Sequence, residues 1–145
     1  MGIGKTLGGI FSPDDSVVIA TTAAGAIPFY SGLMSVDMLG INSPPGVSAG
    51  VLVGYIPGHQ RVLPWSYLNS KRVNLVISHP IVSRAGKGRV QLPLVPNDGP
   101  PHLNATLVHI PIGDGYAVAA LYIRRNAAVE SALARFDWPR RRVRF

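Results

Sequence analysis

Apolar residues in this chain gather in short unbroken runs, and long amphipathic stretches are few. Residues 16–22, Ser-Val-Val-Ile-Ala-Thr-Thr, form a β-rich run after the turn signal Ser12-Pro13-Asp14-Asp15. Its lack of polar alternation predicts a strand buried on both faces, as in a sheet covered by helices. The small residues Ala23-Ala24-Gly25-Ala26 then allow a loop or helix start to pack closely on the strand end. Pro28-Phe29-Tyr30-Ser31-Gly32 punctuates a short crossover, and residues 34–39 predict a second strand. Residues 40–58, with five Gly and three Pro, read as a long loop or a cover over one edge. A helix is predicted over 60–71, with Pro64 tolerated if it falls in the first turn. Val73 to Ile77 follows as a third buried strand.

The second half of the chain alternates differently. Residues 84–89 read as a polar turn, 90–95 as a short strand interrupted by Pro93, and 96–101 as a loop. Residues 106–112 and 116–123 flank Gly113-Asp114-Gly115, the pattern of a β-hairpin. Residues 127–136 read as a helix, ended by Trp138-Pro139. Together these elements predict an α/β fold with a small mixed sheet: parallel N-terminal strands, a C-terminal antiparallel hairpin and flanking helices.

Length and charge refine that picture. With 145 residues, 47% of them hydrophobic, the chain suits one α/β domain over 1–138. The longest apolar runs fall far short of the roughly 20 residues of a spanning helix. No secretory signal is visible after Met1. The absence of cysteine excludes disulfides and thiolate chemistry. The net charge of +7 lies almost wholly after residue 73, and Arg140, Arg141, Arg142 and Arg144 crowd the end. Residues 139–145 are therefore expected to be a solvated basic tail. Such a tail offers contacts to an anionic membrane surface; nucleic acid is the less favoured partner.

Motifs for self-contained chemistry are missing. Gly4-Lys5-Thr6 lacks the upstream glycine and buried strand of a phosphate-binding loop. No Gly-x-Ser-x-Gly elbow occurs. His59, His79, His102 and His109 show no metal-ligand spacing, so neither a metal nor a cofactor is expected. His109 falls inside a strand, whereas His59 and His79 sit at element junctions, where ligand-facing groups gather in α/β folds. Asp37 is the most unusual residue, a carboxylate in an apolar strand that needs a partner if buried. It serves either as a tie between loops, through the Ala24-Gly25-Ala26 turn, the Tyr30 hydroxyl or His59, or as an acceptor for sugar hydroxyls.

One longer pattern points to a family. Ile19-Ala20-Thr21-Thr22-Ala23-Ala24-Gly25-Ala26-Ile27-Pro28-Phe29-Tyr30-Ser31-Gly32 is followed by Val36-Asp37-Met38-Leu39-Gly40-Ile41-Asn42, then by Gly58-His59, Tyr67-Leu68 and Val73 to Pro80. Over residues 4–125 this order resembles the soluble C-terminal domain of bacterial GT-C type membrane glycosyltransferases, including arabinofuranosyltransferase-like proteins. The resemblance implies a non-catalytic extracytoplasmic domain beside a transmembrane catalytic segment, in the same or an adjacent chain, on the outer face of the inner membrane. It would contact a glycan acceptor or support the bundle, with Asp37, Tyr30, His59 and His79 as the glycan-binding candidates. Two departures stand out: Ser43 replaces the acidic residue usual after Asn42, and Met1 directly precedes the domain. The second fits a truncated gene, a split protein or a free-standing, cytoplasmic relative. The competing expectation is a small α/β enzyme using Asp37 with His59 or His79 as acid and base.

Overall fold

The computed structural model describes residues 2–41, 51–52, 61–84, 91–100 and 103–145. Three parallel strands open the main sheet: β1 (Val18–Thr21), β2 (Met34–Asp37) and β5 (Leu75–Ser78), with β1 in the middle. A two-residue pair, β3 (Val51–Leu52) and β4 (Arg61–Val62), lies outside this sheet. The main sheet continues antiparallel through β8 (Tyr116–Tyr122) and β7 (Asn104–Gly113) to β9 (Arg140–Arg144), and β6 (Val82–Arg84) pairs β8 alongside β5. Among the described residues four α-helices flank the sheet: α1 (Ile3–Ile10), α2 (Ala26–Ser31), α3 (Trp65–Ser70) and α4 (Ala127–Phe136). The mixed α/β sheet expected from the sequence is present, with its three parallel runs side by side and its hairpin in place.

Strand alternation divides the core in two. Ile19, Leu75, Ile77, Val108, Ile110, Val118 and Ala120 pack with Leu7, Phe11, Ile27, Val129 and Leu133, beneath α1, α2 and α4. Val18, Ala20, Val76, Leu107, Ala119 and Leu121 face the other way, toward Leu63 and Leu68 of the α3 segment. Burial on both faces is why the central strands carry continuous apolar runs. Asn74 closes the layer at the strand starts. Its Oδ1 accepts from the Val18 N–H at 2.8 Å, its Nδ2 donates to the Arg124 carbonyl at 3.3 Å, and its backbone bonds both Val18 and Ile123.

Helix α1 was hidden by its glycines, yet they are what seats it. Ile3, Leu7 and Ile10 recur at helical spacing with Phe11 just beyond. A Cβ at Gly4 would lie 2.8 Å from the Ile27 carbonyl oxygen and 2.8 Å from Tyr30 Cβ; one at Gly8 would lie 2.9 Å from the Ser31 carbonyl oxygen. Bare backbone at these two positions lets α1 cross α2 at close range.

Three expectations are corrected, and the crossover between β1 and β2 is made specific. The helix of 60–71 begins only at Trp65, because Arg61 and Val62 pair with β3 and Pro64 occupies the N-cap. Pro64 brings no capping side chain, and Asp98 supplies one from 33 residues away, its carboxylate oxygens accepting from the Trp65 N–H at 3.0 and 3.2 Å. Residues 91–95 form no strand; Pro93 and Pro96 remove ladder donors there. The crossover between β1 and β2 contains helix α2, with Pro28 in its first turn. The basic tail is no solvated end: β9 pairs with β7 from Asn104↔Arg144 to Val108↔Arg140, and Val143 packs onto the core. Most of the loop at 40–58, most of the turn at 84–89, and residues 59 and 102 lie outside the described residues.

Candidate functional site

The chain leaves β1 through α2 on one face of the sheet and returns from β2 to β5 through α3 on the other. This reversal opens a crevice beyond the carboxyl ends of β1 and β5, the place where open α/β sheets bind ligands. A cleft of about 780 Å³ lies there, walled by Ile3, Gly4 and Lys5 of α1, Ala26, Ile27 and Tyr30 of α2, and Ala23 and Pro80 from the ends of β1 and β5. That volume is within the range of small-molecule sites.

Local chemistry holds the strand ends rigid. The Ser78 carbonyl accepts from the Thr22 N–H at 3.0 Å and from the Thr21 hydroxyl at 3.1 Å, while Thr21 Oγ1 accepts from the Ala23 N–H at 3.1 Å. Ser78 itself adopts φ 57°, a left-handed conformation that turns the chain from β5 toward β6. The buried hydroxyls of Thr22 and Ser78 have no hydrogen-bond partner among the described residues.

The wall is apolar with one cationic and one aromatic group. Tyr30 is 55% exposed and Phe29 80% exposed, packed edge to face with ring centroids 5.1 Å apart. The Lys5 ammonium stands 5.4 Å from the Tyr30 ring centroid, within cation–π range. The cleft thus offers a partly exposed phenol ring, an ammonium donor beside it and an apolar floor.

The sequence candidates separate at this site. Tyr30 lines the cleft. Asp37 ends β2, opposite Thr21, and is 6% exposed. Its Oδ1 accepts from the Leu39 N–H at 3.0 Å, and its carbonyl accepts from Gly40 N–H at 3.1 Å, so the carboxylate closes the turn that leaves its own strand. His79 is exposed just after β5, with β1 lying between its strand and that of Asp37. Among the described residues no hydrogen bond or ion pair joins Asp37 to His79. His59 lies outside the described residues.

Sequence reasoning missed Lys5. It tested that residue only against a phosphate-binding loop, and the helix carrying it was obscured by three glycines. The spacing of Ile3, Leu7 and Ile10 was the signal that could have placed Lys5 on an exposed helical face.

No group of three or more metal-ligating side chains occurs among the described residues. No described helix is long and apolar enough to cross a membrane. Comparison with protein-family models, with curated proteins and with solved structures gave no match.

Proposed function

We propose that this chain is a non-catalytic glycan-contacting domain that works beside a membrane-embedded glycosyltransferase segment, in the same or an adjacent chain. The observation that carries the reading is the Tyr30–Lys5 cleft at the carboxyl ends of β1 and β5. Its exposed aromatic and ammonium groups belong to sugar recognition, while the buried Asp37 is engaged in a turn. The resemblance of residues 19–42 and 58–80 to the extracytoplasmic domain of GT-C type enzymes supplies the sugar class and the setting, the outer face of a bacterial inner membrane. Arabinan-like acceptors are the first ligands to try.

Calorimetry of the folded chain with arabino-oligosaccharides tests the proposal. Weak but saturable binding is expected, with Tyr30→Ala at least tenfold weaker and Asp37→Asn unchanged. No heat from the native chain at millimolar oligosaccharide would refute it. Loss of binding in a well-folded Asp37→Asn variant would instead make that carboxylate a ligand group.

A further inference from the structure

The arginines of β9 are held in a fixed row. Pairing with β7 from Arg140 to Arg144 sets their alternation, and Val143 packs onto the α3-side core. Arg141 shares that side of the strand, so Arg140, Arg142 and Arg144 lie together on the other, about 7 Å apart along the strand. All four arginines are exposed. None of them makes an ion pair or a side-chain hydrogen bond among the described residues, whose surface ion pair joins Arg125 to Glu130 instead. Edge strands are commonly guarded by a charge or two, but a run of unpaired guanidinium groups exceeds what guarding requires and carries a strong local positive field.

Apolar surface adjoins this row. Phe136 is 42% exposed, whereas Phe145 falls on the Val143 side of the strand, away from the row. Trp138, two residues before Arg140 and itself buried, lines a cleft of about 410 Å³ with Lys5, Ile10, Pro111 and Phe136. The Phe136 ring is already engaged, stacked on Trp138 at 5.9 Å and 9° and covered by the Arg135 guanidinium at 4.9 Å. Single-stranded nucleic acid binders need free ring faces for bases to stack on, which this ring does not offer. A cationic row bordered by exposed apolar edges matches the surface of an anionic bilayer, where guanidinium groups meet phosphates and aromatic edges enter the interface.

We infer that the β9 edge, with Arg140, Arg142 and Arg144 as its contact row, is a docking surface for anionic phospholipid headgroups. This inference rests on the arginine row of β9 and a different chemistry from the glycan reading, although Lys5 borders both clefts.

The test is flotation of the full chain with vesicles of phosphatidylcholine alone and with 30% phosphatidylglycerol, in about 50 mM salt. Binding is expected to the anionic vesicles only and to weaken as salt rises. The triple variant Arg140→Gln, Arg142→Gln, Arg144→Gln should bind about a hundredfold more weakly, about fivefold for each charge removed. A triple Arg→Lys variant, which keeps the charge, should retain most of the binding and shows that any loss comes from charge and not from a damaged strand. Equal binding to neutral vesicles, no binding to anionic ones, or full binding by the folded Gln variant would each overturn the inference. So would tighter binding to a single-stranded oligonucleotide than to vesicles at equal phosphate concentration.

Discussion

The two ends of the main sheet solve different problems with different residues. At the β2–β1–β5 end the strands are parallel, covered on both faces, and bear few charges; their carboxyl ends frame a mostly apolar cleft. At the β7–β9 end the pairing is antiparallel and the last strand is mostly arginine, held by its partner strand and a single packed valine. The first arrangement creates a site by topology, because opposite crossovers leave a crevice. The second creates one by register, because pairing forces alternate side chains onto one face. A neutral ligand suits the former and a polyanionic surface the latter.

The sharpest way to break this contrast is at the shared seam. Asn74→Ala removes the acceptor for the buried Val18 N–H and a donor to Arg124, the side-chain ties between the parallel and antiparallel parts at this seam. A loss of about 3 kcal/mol is expected in urea unfolding; a loss under 1 kcal/mol would show that the two parts hold together without it. Removal of residues 140–145 comes next. It uncovers the β7 edge and the contacts of Val143, so stability should fall by about 2 kcal/mol, lowering Tm by roughly 4–8 °C. An unchanged Tm would return these residues to the status of a loose tail.

The smallest effect is a titration on α4. The Tyr122 hydroxyl donates to Glu130 Oε1 at 2.9 Å and accepts from the Asn126 N–H at 2.9 Å, anchoring the helix start to β8. Burial, the main cause, lifts its phenol above the ordinary value of 10.0, with Glu130 adding to the rise and the Asn126 N–H opposing it. The folded chain therefore favours the neutral phenol. Its contribution is present below about pH 10 and is lost as the pH rises above that value. Tyr122→Phe should cost about 1 kcal/mol at neutral pH and flatten the alkaline fall in stability; an identical alkaline profile would assign that fall to other groups.

How much of this was legible follows from the same contrast. The runs around Ile19, Val76 and Leu121 read as strands because burial on both faces leaves no polar position to interrupt them. The hairpin read correctly because Gly113 and Gly115 both take positive φ, as its turn demands. β9 did not, since four arginines conceal a strand whose stability comes from a partner some 35 residues earlier in sequence. α1 was missed because Gly4 and Gly8, penalised by helix propensity, are required by its contact with α2. At the candidate site, the Asp37 string and Tyr30 could be singled out from sequence. Which of them faces the cleft could not, because that depends on the turn in which Asp37 is engaged.

The most direct test of the division of labour is a pair of NMR titrations on the same labelled chain. Arabino-oligosaccharide should shift backbone amides of Ala23, Ala26 and Tyr30 and leave 140–144 unmoved, while anionic lipid nanodiscs should broaden 140–144 first and leave Ala23, Ala26 and Tyr30 unmoved. Oligosaccharide shifts along β9, or none anywhere at millimolar concentration, would contradict the assignment of the cleft to sugar and of the edge strand to the membrane.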